Sequence, residues 1–414
     1  MTEYKVKQLK ESFPEADEDA LFEVLLSCEG SMKAAENVLL ESFPHGPERK
    51  RYRPGERQLN IKRLLGVIDD SALISRNTTG ANRPVYLYTK EDLEQTVPYA
   101  TIHHNFLPPD IADDILRHTM NDKHGFSKAE FYLFGKKCVS NHESKLYASG
   151  QMDGIYYNGK LGHWDPDHSI YTEAMKIAKN LIEKKVNELN SQRERLPFEP
   201  VCSWKGDMAV CNRFFAKSND LDWHSDRLTY IGPHCTIASL TLGATREFRI
   251  RKGYHDDTDA KFNTIYAVPI PHNTLLLMHA GFQEEFRHCV SSTTEIIPHP
   301  ISGPLRINLT YRHYLGSYKE NLPLCDKCGH QMDLRRSYKS PEVRGRYIWR
   351  CTGSYQNKEC SRSYFADFSS NKLYTLDPEK CSVWIARGDT AALNCFREEI
   401  AERLKARDSK LKTG

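Results

Sequence analysis

His224 and Asp226 stand two residues apart in LDWHSDRLTY. On a strand such a pair points to one face, where an imidazole and a carboxylate can share a metal ion or simply a hydrogen bond. A second H-x-D, His255 and Asp257 in YHDDTD, sits in a polar stretch with no strand-like frame. His288 follows 62 residues after Asp226, near the end of a later apolar run. Further on, RINLTYRHY puts Arg306, Asn308, Thr310 and Arg312 on one face of an apolar strand. Inward arginines are costly unless they meet anions. A dicarboxylate held bidentately would satisfy one of them, and so would internal salt bridges, with Asp226 as a candidate partner. Near the C-terminal end, Cys325-x2-Cys328, Cys351 and Cys360 form a four-thiol set. That set suits a closed tetrahedral structural zinc, with His330 as a possible substitute for one sulfur.

The elements that must position these residues show in the periodicity. The chain has 414 residues, enough for two or three domains. No apolar run approaches the ~20 residues that span a bilayer, and the first twenty residues lack a signal-peptide core. A soluble intracellular protein with reduced thiols is expected, and no membrane partner. Charge is unevenly placed: residues 1–44 carry four Lys/Arg against ten Asp/Glu, and residues 319–414 carry nineteen against thirteen. The acidic head and basic tail argue for different partners, a polyanion suiting the tail.

Residues 1–44 read as a bundle of three short helices, marked by Val6 and Leu9, then Leu21, Val24, Leu25 and Leu26, then Ala34, Ala35, Val38 and Leu39. Residues 45–60, rich in Pro, Gly and Arg, read as a basic linker. Within 61–318, Ile170, Ala174, Ile177, Ala178, Leu181 and Val186 follow helical spacing. The stretches MAVCNRFF, CTIASLTLGATREFRIRK, NTLLLMHAGFQEEFRH and LRINLTYRHY then follow without helices between them. Such a succession predicts an antiparallel sandwich or jelly roll. Residues 319–370 form the cysteine module, and 371–414 an extension ending in an amphipathic helix over 392–407. The fold class is thus multidomain α+β: a small three-helix bundle, a double-stranded β-helix and a small zinc finger.

On a jelly roll, His224, Asp226 and His288 make up the facial triad of non-haem iron centres, which leaves three positions open. The ordered set Asn212-Arg213-Phe214, His224-Ser225-Asp226, IASLTLGATREF, His288 and RINLTYR resembles the AlkB family of Fe(II)- and 2-oxoglutarate-dependent nucleic-acid dealkylases over roughly residues 100–318. The resemblance implies that His224, Asp226 and His288 hold Fe(II) and that Arg306 pairs with the distal carboxylate of 2-oxoglutarate. Asn308 and Arg312 would support its keto-acid end and orient Asp226. Asn212 matches the family's cosubstrate asparagine, while Phe214 replaces a tyrosine, which implies weaker cosubstrate binding. Upstream, FYLFGKKCVSNHESKLYASG is similar to the family's substrate lid, with Phe134, Gly135 and Lys136 as wedge and cation beside the nucleic acid and Tyr147 as a lid tyrosine. Asn141-His142 stands where relatives often carry Pro-Arg. Leu228 occupies a position that is acidic in relatives acting on cationic methylated bases, and Arg227 precedes it.

Two further segments carry resemblances. Residues 1–44 are similar to a CUE domain, on Phe13-Pro14 and Leu39-Leu40, which implies ubiquitin or a ubiquitinated protein as partner. RGRYIWRC and YFADF around the four cysteines resemble a GRF-type zinc finger, a module that binds single-stranded nucleic acid. Arg344, Arg346 and Arg350 would contact phosphates, and Tyr347, Trp349 and Phe365 offer stacking faces. The expected function is oxidative demethylation of alkylated bases in DNA repair, by a monomer in the nucleus and also the cytoplasm. The alternatives are a dioxygenase acting on RNA or on a neutral base such as N6-methyladenine or 5-methylcytosine, and a non-catalytic ubiquitin- and nucleic-acid-binding adaptor. Loss of residues 319–414 is expected to weaken strand binding while leaving turnover on a short oligonucleotide largely intact.

Overall fold

The computed structural model describes residues 2–13, 84–133, 136–150, 156–157, 160–161, 169–254, 263–338, 340–353 and 360–396, with six isolated positions between 21 and 39. The chain divides into two compact units, Met1–Thr79 and Gly80–Gly414. In the first, a helix spans Thr2–Ser12. Leu9, Phe13, Leu21, Leu25, Ala35 and Leu39 bury together. Phe13 and Leu39, expected as an exposed patch, are therefore core: a bundle this small needs every large apolar side chain it has. Pro14, Leu40 and the linker over 45–60 lie outside the described residues.

The second unit begins with β1 (Val85–Tyr86), the helix Lys90–Thr96, β2 (Ala100–His104) and the helix Pro109–Asn121. It continues through β3 (Ser127–Leu133), β4 (Lys136–Ala148), β5 (Tyr156–Tyr157), β6 (Lys160–Leu161) and the helix Glu173–Ser191. Then come β7 (Met208–Phe214), β8 (Leu221–His224), β9 (Ile237–Gly243), β10 (Arg246–Lys252), β11 (Tyr266–Ile270), β12 (Thr274–Met278), β13 (Phe286–Val290) and β14 (Arg306–Arg312). A seven-stranded sheet runs β2-β12-β9-β14-β7-β4-β3, and a five-stranded sheet β1-β11-β10-β13-β8. Apart from the parallel β1–β11 contact, the pairs within these two sheets are antiparallel. Two facing sheets of this kind are the predicted jelly roll.

The larger sheet is buried on both faces, so every residue of β7, β9 and β12 is buried, polar ones such as Asn212, Ser239 and Thr241 included. Its outer face, with Ala238, Leu240, Leu242, Ile307, Leu309 and Tyr311, packs against the helices. Helix Pro109–Asn121 starts with proline at its first turn, where a missing N–H costs nothing, and buries Ala112, Ile115, Leu116 and Thr119. Helix Glu173–Ser191 is capped by Thr172, which accepts from Met175 N. That cap starts the helix after Ile170, leaving Ile170 and Ile177 exposed; the buried stripe is Ala174, Met175, Ala178, Ile182 and Val186.

The cysteine segment contributes a third sheet, β15 (Met332–Arg336), β16 (Tyr347–Cys351), β17 (Ser363–Ala366) and β18 (Tyr374–Thr375). Its apolar face shares one continuous core with the jelly roll: Met332, Leu334, Tyr347, Trp349 and Trp384 cluster with Ile231, Phe248, Phe282 and Phe286. This corrects the expectation of a separable tail. Too small to close a core of its own, the module borrows one. Of the expected terminal helix, Thr390–Cys395 is described and the remainder lies outside the described residues.

Glu284 lies at this junction. Its Oε1 accepts from His234 N at 2.8 Å and from the Tyr347 hydroxyl at 3.4 Å, while Oε2 has no partner among the described residues. Burial pushes its carboxyl from 4.5 up to about 7. Across that interval the folded chain holds more protons than the unfolded one, so the contribution of Glu284 is greatest below 4.5 and is lost as pH rises to 7. Urea unfolding at pH 5 and pH 7.5 should show it. The wild-type stability relative to Glu284→Gln should fall by on the order of 2 kcal/mol across that range; a constant difference would contradict the assignment.

Candidate active site

β8 ends at His224 and pairs with β13, placing His224 opposite His288. The two imidazole centroids lie 4.2 Å apart. Asp226 Oδ1 is 3.6 Å from His224 Nε2 and 3.9 Å from His288 Nε2. One ligand atom from each of the three residues lies within 4.8 Å of the others, spacing that suits a single cation. Two supports aim these atoms. His224 Nδ1 meets the Asp222 carbonyl at 2.7 Å, which turns Nε2 inward. His288 stacks on Phe248 with centroids 5.2 Å apart.

Asp226 is gripped from β14. Arg312 donates to Oδ2 through Nε at 2.7 Å and Nη2 at 2.6 Å, leaving Oδ1 to face the histidines. Burial alone would raise the Asp226 carboxyl, but Arg312 and the two histidines outweigh it and hold it below the ordinary carboxylate range. Burial, reinforced by His224, pushes His288 well below the usual imidazole value. The set is thus poised as one carboxylate and a neutral imidazole, the donor state a divalent metal takes.

Six residues back along the same face of β14, Arg306 is 1% exposed. Its Nη2 donates to Thr241 Oγ1 at 3.0 Å, while Nε and Nη1 have no partner among the described residues. No acidic side chain pairs with it among the described residues. Phe214, paired with it across the β7–β14 ladder, lies under the guanidinium at 5.3 Å. Burial and the nearby Arg246 lower Arg306 to about 9. A buried cation with orphaned donors is the signature of an anion site. Between the two arginines, Asn212 and Asn308 face one another across the ladder, and Asn308 donates to Ser239 Oγ at 2.8 Å. The residues present therefore fit Fe(II) at the triad and a dicarboxylate reaching Arg306.

Several expected contacts take other roles. Tyr147 is fully buried and donates to Asp122 Oδ2 at 2.6 Å, so it is core and no lid contact. Leu228 is 5% exposed within the main core, so it presents no surface to a base. Tyr347 and Trp349 are fully buried and offer no stacking face, because the module spends its aromatics on the shared core. Arg344 is buried against Asp389, both at 3.3 Å, and is unavailable to phosphate. Arg350 remains exposed, with Arg346 and Phe365 half-buried. His142 stacks on Phe214 at 5.1 Å. Phe134, Gly135, the Lys136 side chain, His255 and Asp257 lie outside the described residues.

The cysteines do converge. Cys325 and Cys360 Sγ are 3.7 Å apart, Cys328 and Cys351 Sγ 3.3 Å, and all four sulfurs lie within 4.8 Å. Sulfurs around a tetrahedral zinc stand about 3.8 Å apart. His330 turns its Nδ1 to the Cys328 carbonyl at 3.0 Å, and the four sulfurs form the cluster without it. Sequence reasoning passed over Ser239 and Thr241, although polar residues alternating in IASLTLG mark one face of β9. Gln283, whose side chain accepts from Asp226 N at 2.8 Å, carries no sequence signal.

A two-histidine, one-carboxylate cluster in a jelly roll, with a buried arginine awaiting an anion, defines a facial-triad site built for an anionic cosubstrate. Residues 99–312, just over half the chain, match the 2OG-Fe(II) oxygenase superfamily, and the chain belongs to it. Among curated relatives, the rat alpha-ketoglutarate-dependent dioxygenase alkB homolog 3 is 34% identical over 105 residues, 25% of this chain and 34% of that protein. The human protein of that name is 34% identical over the same length, 35% of it covered. The DNA oxidative demethylase ALKBH2 of Arabidopsis thaliana is 21% identical over 211 residues, 46% of this chain and 59% of that protein. The chain thus spans about a third of the length of the alkB homolog 3 relatives. The solved structure of OsALKBH1 aligns over 52% of this chain and 98% of its own, at 18% identity and TM-score 0.35.

Two substitutions separate the roles. Asp226→Ala should abolish divalent-metal binding at the triad. Arg306→Met should leave metal binding intact and weaken 2-oxoglutarate about 100-fold or more, with no loss of thermal stability, since it removes an unpaired buried charge. Calorimetric titration checks both, and wild-type 2-oxoglutarate affinity in Arg306→Met would contradict the anion site.

Proposed function

We propose that this chain is an Fe(II)- and 2-oxoglutarate-dependent dioxygenase that demethylates alkylated nucleic-acid bases, DNA repair being the best-supported setting. The observation that carries the chemistry is the pair of arginines on β14, one spent on Asp226 and the other left for a dicarboxylate. The substrate class rests on the similarity to the alkB homologues and ALKBH2. When bound, Fe(II) with 2-oxoglutarate and dioxygen supplies the oxidising equivalents that hydroxylate a methyl carbon on a base nitrogen, giving succinate and carbon dioxide. The N-hydroxymethyl group then leaves as formaldehyde; its hydroxyl proton goes to the nitrogen of a neutral base, or to solvent where the methylated base was a cation.

The protein's part is placement. His224, Asp226 and His288 hold the metal by one face, so its other positions stay open. Arg312 holds the carboxylate that would otherwise swing. Arg306 fixes the far end of the cosubstrate through a desolvated, charge-assisted bond, with Asn212 and Asn308 lining the span between. In the cysteine module, zinc at Cys325, Cys328, Cys351 and Cys360 ties β16 to the loops beside it. The outward residues Arg350, Arg346 and Phe365 are the ones left for single-stranded nucleic acid. A ubiquitin-binding role for residues 1–44 rests on their resemblance to CUE domains, with Pro14 and Leu40 as the carriers that remain. A nuclear location fits such a substrate. Among the described residues no helix is long and apolar enough to cross a membrane.

A second reading keeps the enzyme and changes the base. With Leu228 in the core, a base would meet no carboxylate at that position, and Arg227 beside it is an exposed cation. This favours a neutral base, such as N6-methyladenine or 5-methylcytosine, or an RNA carrying one, over a cation.

Mass spectrometry of oligonucleotides carrying 1-methyladenine, 3-methylcytosine or N6-methyladenine, incubated with iron-loaded protein, decides. Loss of one CH2 unit with equimolar succinate is expected for at least one of them. Succinate release with every oligonucleotide unchanged would remove the base-demethylase reading. Native protein should contain one zinc per chain by elemental analysis, and none would refute the four-thiolate site.

A further inference from the structure

The cysteine module reaches closer to the iron site than a nucleic-acid tether requires. Ser225 and Asp226 lie beyond the end of β8, in a stretch without strand or helix that runs to Ile237. A ligand on such a stretch must be held from outside. Arg312 holds the Asp226 carboxylate, but its backbone is held elsewhere: Asp226 N donates to Gln283 Oε1 at 2.8 Å. Gln283 is buried in the short helix Phe282–Glu285, and its own carbonyl accepts from the Tyr338 hydroxyl at 2.6 Å. The same hydroxyl lies 3.4 Å from Ser225 Oγ. Tyr338 belongs to the cysteine module, two residues past β15.

We propose that Tyr338 is a positioning residue for the metal site, and that the four-cysteine module serves as its outer scaffold, holding the Asp226 loop through Gln283. The proposal rests on the reading of His224, Asp226 and His288 as metal ligands.

Three further observations support it. First, the ring has a built seat. A Cβ on Gly253 would come within 2.7 Å of Tyr338 Cε1, so only glycine lets the ring lie there. The Arg336 and Arg287 guanidinium carbons lie 5.0 and 5.4 Å from its centroid. Second, the same strand fastens the loop again further on. Thr229 Oγ1 donates to Asp333 Oδ1 and accepts from Leu334 N at 3.1 Å. Asp333 is itself fixed, since its Oδ2 accepts from Arg335 Nε at 2.7 Å. Third, Arg336 Nη1 donates to the Glu284 carbonyl at 2.8 Å, next to the carbonyl that Tyr338 holds. Both walls behind Asp226, the loop and the short helix, are thus bonded to residues 333–338. A module that merely hung from the jelly roll would need none of these bonds beside a metal ligand.

Outer groups that orient ligands typically change metal affinity by about 10- to 100-fold when removed. The test uses full-length zinc-loaded protein, titrated with Co(II) without oxygen, with the visible bands of a nitrogen–oxygen site read apart from those of thiolate-bound cobalt. Tyr338→Phe keeps the ring and loses the hydroxyl. It should raise the Co(II) dissociation constant at the triad about tenfold or more and shift its bands, with zinc content and thermal midpoint near wild type. Asp333→Ala, which removes the acceptor that ties the same loop to β15, should act in the same direction and serves if Tyr338→Phe does not fold. Arg362→Ala, which breaks an exposed ion pair with Asp326 on the module, should change neither affinity nor bands. Unchanged Co(II) affinity and spectrum in folded Tyr338→Phe or Asp333→Ala would overturn the proposal alone. Wild type with no nitrogen–oxygen cobalt site would overturn the metal assignment, and the proposal with it.

Discussion

Two arginines on one face of β14 set the terms for the rest of the fold. A guanidinium inside a jelly roll loses its hydration, and the loss is tolerable only with an anion in reach. Arg312 finds its anion within the chain, in Asp226, and in doing so fixes the third corner of the His224–Asp226–His288 cluster. Among the described residues Arg306 has the Thr241 hydroxyl alone, with two nitrogens unmet. The same strand thus closes one electrostatic account and leaves the other open to a ligand. The two-sheet architecture makes this possible: the larger sheet carries its arginines inward, while the helices on its outer face keep the strand rigid.

Much of this was legible from residue order. His224 and His288, and the alternation of Arg306, Asn308 and Arg312, mark positions on strands, where geometry converts spacing into facing; Asp226 lies past the end of β8, and Arg312 and Gln283 bring it to the histidines. The jelly roll followed from strands succeeding one another without helices. The alternatives that spacing left open, a metal cluster or a set of internal salt bridges, were separated only by the structure: Arg312 does form the salt bridge, and Arg306 has no acidic partner among the described residues.

What the sequence hid were choices of burial. An aromatic next to a cysteine reads equally as a stacking face or as core, and Tyr347 and Trp349 are core because the module has too few residues to close on itself. Phe13 and Leu39 follow the same rule in the N-terminal unit, and Tyr147 and Leu228 in the catalytic one. Contacts such as Tyr338 to Gln283 join residues 55 positions apart through a backbone carbonyl, which leaves no trace in residue type. The module's merger with the jelly roll was invisible for that reason: the shared core is assembled from apolar residues that each segment needed anyway.

The central claim is that the triad and Arg306 form one site, a metal at one end and a dicarboxylate reaching to the other. Anaerobic titration of the Fe(II)-loaded wild-type protein with 2-oxoglutarate, followed by visible absorption, tests it most directly. The account predicts a charge-transfer band that saturates at one 2-oxoglutarate per chain, and that succinate, which lacks the keto group, does not produce. A loaded protein that binds iron yet gives no band at any 2-oxoglutarate concentration would contradict it.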